Sequence, residues 1–154
     1  MSLKEIKDPA PEGYPTVVPY LMVNSVEKEM EFLKYVFHAE TIEELKQPDG
    51  NIMHGEMRIG TSVIMMGKAK DNFPSRESMN YVYVDNADEV YVRALKFGAT
   101  SIMEPGDRFY GNREGGFTDP SGNQWWIAQP LEVVPKEEME KRLAEMQKAD
   151  IRIQ

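Results

Sequence analysis

The 154-residue chain has 18 basic and 26 acidic residues, a net charge of -8, and no cysteine, which excludes disulfides, thiolate metal sites and a cysteine nucleophile. So acidic a chain, with no concentrated basic patch, argues against a nucleic acid partner, because nothing displaces phosphate counterions. The absence of cysteine, of a signal-peptide core at the N-terminus and of any apolar run near the roughly 18 residues of a membrane span points to a cytoplasmic protein with no membrane partner.

Three prolines and a glycine make residues 1–15 an irregular lead-in. Thr16 to Val23 reads as the first strand, with Pro19 pushing it toward an edge or bulge. Asn24 or Ser25 caps a helix over 25–37, in which Val26, Met30, Leu33 or Lys34, and Phe37 recur at helical spacing. Glu40 to Lys46 is a polar strand, and Gln47-Pro48-Asp49-Gly50-Asn51 is a turn into a hairpin of Ile52 to Ile59 and Ser62 to Met66. The first module therefore spans 16–67, and the charged stretch 68–78 links it to the second half of the chain.

The order then repeats over 79–130. Met79 to Val84 is a strand, Asp85 or Asn86 caps a helix over 86–97, Gly98 ends it, and Ala99 to Glu104 is a strand. Pro105 to Tyr110 is a loop, Gly111 to Thr118 a strand, and Asp119-Pro120-Ser121-Gly122 a turn into a last strand from Asn123. Val23-Asn24-Ser25-Val26 matches Val84-Asp85-Asn86-Ala87 at an offset of 61 residues, and Phe37-His38-Ala39-Glu40 matches Phe97-Gly98-Ala99-Thr100 at 60. Residues 131–154 form a tail, whose Met139, Leu143 and Met146 spacing predicts an amphipathic helix over 135–148.

A doubled strand-helix-three-strand unit ending in Asp119-Pro-Ser-Gly-Asn-Gln-Trp-Trp126 resembles the vicinal oxygen chelate superfamily, the glyoxalase, bleomycin-resistance and extradiol-dioxygenase group. Tyr14-Pro-Thr-Val-Val-Pro-Tyr, Lys96-Phe-Gly-Ala and Asp107-Arg-Phe-Tyr-Gly-Asn-Arg carry the likeness further, toward the PhnB-like branch. The resemblance implies an α+β fold of tandem βαβββ modules in one domain. Their curved mixed sheet forms a cup with helices outside, usually in a homodimer, with a small molecule or metal held inside.

In the catalytic families of this group, metal ligands come from the first and last strands of each module. The corresponding positions here are Val18, Met65, Met79 and Trp126, and none offers the imidazole or carboxylate a divalent metal takes. A slip of one residue, to Val17, Ile64, Met66, Asn80 or Trp125, adds one weak amide. No cofactor is therefore expected.

Alternation at period two turns Val18, Tyr20 and Met22, Val63 and Met65, Met79, Tyr81 and Tyr83, and Gln124, Trp126 and Ala128 inward. Methionine and aromatic side chains suit a flat or apolar ligand, and equally could fill the cup themselves. His54, Glu56 and Arg58 share one face of the third strand, as polar pocket wall, solvated surface or an acid-base pair. Arg108 and Arg113, in a loop with Asp107, Tyr110 and Asn112, suit either an anion clamp or ion pairs with Asp107, Glu114 or Asp119. His38, at a helix end, is assigned no function.

The sequence thus favours a metal-free cup binding a small aromatic or apolar molecule, as a sequestering or resistance protein would. The alternatives are a divergent lyase, isomerase or dioxygenase with a divalent metal on His54 and Glu56, and an interaction module with a filled cup.

Overall fold

A computed structural model describes residues 8–153, with side chains through Asp150. The part of the lead-in over 1–7 lies outside the described residues, and 8–19 carries neither helix nor strand. The element order is β1 (Tyr20–Val23), α1 (Val26–Phe37), β2 (Glu40–Lys46), β3 (Ile52–Ile59), β4 (Ser62–Lys68), β5 (Met79–Tyr83), α2 (Ala87–Lys96), β6 (Thr100–Asp107), β7 (Asn112–Thr118), β8 (Gln124–Pro130) and α3 (Lys136–Ile153). It is an α+β fold of two mixed four-stranded sheets, ordered β1-β4-β3-β2 and β5-β8-β7-β6.

The two sheets belong to two compact units. One runs to Ser78 and includes Asp119–Asn123, and the other comprises Met79–Thr118 and Gln124–Gln154. In the first, β1 runs parallel to β4, pairing Tyr20 with Met65 and Met22 with Gly67, while β3 is antiparallel to both β4 and β2. In the second, β5 runs parallel to β8, pairing Tyr81 with Trp126 and Tyr83 with Ala128. Each of these pairs recurs at an offset of 61, so the repeat seen in the sequence is a repeat of strand register.

One face of each sheet is closed by its helix. Ser25 caps α1, its hydroxyl accepting from the Lys28 amide, and Val26, Met30, Leu33 and Val36 are buried where α1 packs on β3 and β4, whose Met57, Ile64 and Met66 are buried too. Gly55 lets the helix approach, since a Cβ there would stand 2.5 Å from Met30 Sδ. Asn86 caps α2 in the same way, and Val90, Tyr91 and Ala94 close over Phe117, Trp125 and Ile127, the last three fully buried. Each such large apolar side chain contributes roughly 1.5–3 kcal/mol relative to exposure. His38 ends α1 in the left-handed region, φ 55°, the only positive φ among the described non-glycine residues.

Two proline-bearing strands differ from the sequence reading. The first strand begins at Tyr20, not Thr16, because Pro19 has no amide to enter the ladder, although its carbonyl accepts from the Met65 amide. The sixth runs on through Pro105 to Asp107, where a loop was expected. Register shifts between Ser101 and Met103 and between Met103 and Gly106 absorb the proline, which sits on an edge strand where a missing donor costs little.

Candidate functional site

The face of the first sheet turned away from α1 gathers the side chains of Tyr20 and Met22 from β1, His54, Glu56 and Arg58 from β3, and Val63 and Met65 from β4. Register dictates this: Glu56 lies opposite Met65, which lies opposite Tyr20, while His54 and Met22 both pair with Gly67. The polar stripe and the methionine-aromatic stripe separated in the sequence reading therefore share one surface.

On that surface four side chains form a continuous hydrogen-bonded chain. Tyr14 donates its hydroxyl to Glu56 Oε1. Glu56 Oε2 lies 2.7 Å from His54 Nε2, and His54 Nδ1 lies 3.1 Å from the Tyr20 hydroxyl, whose ring stands 5.6 Å from the imidazole. Burial pushes the Glu56 carboxyl up, but the Tyr14 hydroxyl and the His54 ring bonded to it outweigh burial and hold it below the usual carboxylate range. The hydrogen bond to Glu56 raises the Tyr14 phenol, with burial adding to it. Glu56 is buried, His54 half-buried and Tyr20 51% exposed, so polarity increases inward and the aromatic ring faces out. Gly67 makes room: a Cβ there would collide with the Tyr20 hydroxyl. Arg58 donates to the Gly13 carbonyl at 3.4 Å and ties the lead-in to the sheet.

The second unit carries the same framework with different chemistry. Tyr81, placed like Tyr20, donates to Glu114 Oε2 at 2.5 Å and accepts from Asn112 Nδ2 at 3.2 Å. Burial, then the Glu114 carboxylate, pushes the Tyr81 phenol up to about 12, and the same two causes raise Tyr110. Glu114 lies opposite Ala128 as His54 lies opposite Gly67, so carboxylate and imidazole occupy equivalent strand positions. Met79, Tyr81 and Tyr83 are exposed, Trp126 and Gln124 are half-buried, and the Trp126 indole donates to Gln124 Oε1 at 3.3 Å.

The two loop arginines are engaged within the protein. Arg113 reaches Asp88 at 2.8 and 3.0 Å, at the start of α2, and Asp107 at 3.0 Å, so the structural pairing with Asp107 forms and Asp88 joins it. Arg113 holds the Asp88 carboxyl below its ordinary value. Arg108 donates to the Glu104 and Glu114 carbonyls, tying β6 to β7, while its buried Nε has no hydrogen-bond partner among the described residues.

Sequence reasoning missed Tyr14, left in the lead-in, and Glu114, weighed only as an ion-pair partner. The repeat could have found Glu114, since it stands 60 residues after His54. At Val18, Met65, Met79 and Trp126 no side chain supplies a carboxylate or imidazole, so these positions do not fit a divalent ion. Among the described residues no three His, Asp or Glu side chains converge as a ligand set.

Comparison with known proteins agrees with this fold. An uncharacterized protein of Mycobacterium bovis is 26% identical over 141 residues, covering 84% of this chain and 93% of its own length. An uncharacterized protein of Mycobacterium tuberculosis matches at 26%, covering 84% of this chain and 83% of itself. Among solved structures, TioX from Micromonospora sp. ML1 superposes with a TM-score of 0.64 at 22% identity, over 76% of this chain and 99% of that one. A PhnB protein from Bacillus cereus superposes at 0.58 and 16%, over 75% and 99%. At such identities these two likenesses speak to the fold. Residues 15–127 match the family model for the glyoxalase/bleomycin resistance protein/dioxygenase superfamily, and with its duplicated βαβββ plan the chain belongs to that superfamily.

Proposed function

We propose that this protein binds a small, aromatic or apolar molecule without a metal, on the open face of its first sheet. The observation that carries this reading is the composition of that face. A half-exposed tyrosine and two half-buried methionines, Met22 and Met65, surround a polar chain anchored on a buried carboxylate. Aromatic and methionine surfaces hold a flat ligand through stacking and shape adaptation, and a few placed polar groups orient it. The Val, Met, Met and Trp at the family's metal positions support binding over metal-assisted catalysis, since none can polarise a substrate oxygen.

The test is a thermal-shift screen with planar aromatic compounds and, separately, with divalent metals, followed by titration calorimetry of any hit. An aromatic ligand is expected to raise the melting temperature, and Met65→Ala to weaken its binding roughly 10-fold or more, about the loss of one buried apolar side chain. Near-stoichiometric Ni, Zn, Fe or Mn in protein purified without chelator, lost in His54→Ala, would overturn the metal-free reading. A homodimer in the cytoplasm remains part of the proposal, and light scattering measures the former.

A further inference from the structure

The hydrogen-bonded chain on the first sheet has a direction. Glu56 is held ionised and can only accept, taking the Tyr14 hydroxyl on one oxygen, so the proton shared by Glu56 Oε2 and His54 Nε2 belongs to the ring. In the neutral imidazole the lone pair then lies on Nδ1, and the 3.1 Å contact to Tyr20 is one in which the phenol donates. Carboxylate, imidazole and hydroxyl stand in the order that activates a nucleophile: a base within reach of the hydroxyl and a third group orienting the base. The hydroxyl belongs to a side chain 51% exposed, so an incoming molecule can reach it.

We propose that Tyr20, His54 and Glu56 form a relay in which Tyr20 Oη is the reacting atom toward an electrophilic small molecule. The phenolic oxygen forms a bond to the electrophilic centre, the leaving group departs with its electron pair, and the phenolic proton passes to His54 Nδ1. The resulting imidazolium is stabilised by Glu56, which keeps its charge. This rests on the reading of that face as a ligand seat and adds the class of molecule it would act on.

The repeat supplies an internal control. Tyr81 occupies the equivalent strand position with nearly the same exposure, 47% against 51%, but its hydroxyl donates to a carboxylate, not an imidazole. A carboxylate is too weak a base to take a phenolic proton near neutrality, so the same framework leaves Tyr81 inert.

An aryl sulfonyl fluoride tests this without knowledge of the natural ligand. Attack by Tyr20 Oη forms an aryl sulfonate ester and expels fluoride, and peptide mass spectrometry reads the label at each of the 7 tyrosines. Tyr20 is expected to label at least roughly 10-fold faster than Tyr81. His54→Gln, which keeps a polar side chain but removes the base, is expected to slow Tyr20 roughly 100-fold, the low end of general-base assistance. Glu56→Gln is expected to slow it less. Circular dichroism and the urea midpoint of each variant report whether it has unfolded. Labelling of Tyr20 no faster than Tyr81, or unchanged in both folded variants, would overturn the relay. Because the reagent needs no bound ligand, that failure would leave the aromatic-ligand screen unaffected, and an empty screen would leave the relay standing.

Discussion

Glu29 is a glutamate in the interior of α1 with no exposed surface. Beside it lie Asp119, Ser121 and Asn123 of the turn between β7 and β8. Burial, with the Asp119 carboxyl alongside, pushes the Glu29 carboxyl up to about 9. Unfolded, it ionises near its ordinary 4.5. Between those two values the folded protein holds a proton that the unfolded chain releases, so stability falls as pH rises through the window. Below 4.5 both states are protonated and the difference vanishes. Glu29→Gln keeps the volume and removes the titration. It is expected to gain roughly 1–3 kcal/mol over the native protein at about pH 8 relative to about pH 5, read from urea midpoints. Parallel pH profiles for the two proteins would contradict the assignment.

Helices and strands with uninterrupted periodicity were legible in the sequence, and α1, β2 and β3 begin and end within a residue of the expected positions. Caps account for this, because Ser25 and Asn86 satisfy the first free amides of their helices locally. The proline-bearing strands were less legible, since whether Pro19 stops a strand and Pro105 merely bends one is decided by the partner strand. The site was legible in parts. His54 and Glu56 could be placed on one face, but their sharing that face with Tyr20 and Met65 is fixed by register across three strands. Tyr14 joins through chain geometry no periodicity encodes. The tail helix runs longer than the spacing implied, to Ile153, with Leu143 and Met146 exposed. Its described anchors are polar: Arg142 donates to the Phe109 carbonyl at 3.0 Å and pairs with Glu132 and Glu138. Arg142→Ala is therefore expected to speed amide exchange throughout α3 while leaving β7 and β8 protected, and high salt to act in the same direction. Unchanged exchange in α3 would show that something other than Arg142 holds it.

At the scale of the whole chain, the two modules of the sequence are not the two units of the structure, because Asp119–Asn123 belongs with the first. Asn123 has no exposed surface, and its side-chain oxygen accepts from the Ser78 amide at 3.1 Å and the Ser78 hydroxyl at 2.8 Å. Asp119 closes the turn by accepting from the Ser121 and Asn123 amides. A fragment ending at Ser78 lacks this turn and leaves Glu29 without its cover. It is expected to melt well below the full chain or to lack dispersed amide resonances, whereas the full chain should unfold in one transition. A fragment as stable as the parent would refute this. The same crossing has a consequence for synthesis. A ribosome delivers the chain from its N-terminus, and modules that are complete in sequence begin to fold as they emerge. Here the first unit must wait for Asn123, after which only β8 and the tail remain to be made. Until then α1 carries a carboxyl whose cover has not yet been made, and Ser78 lacks its bonds to Asn123. The nascent protein thus spends most of its translation with its first half unfinished, a period in which chaperone capture competes with folding.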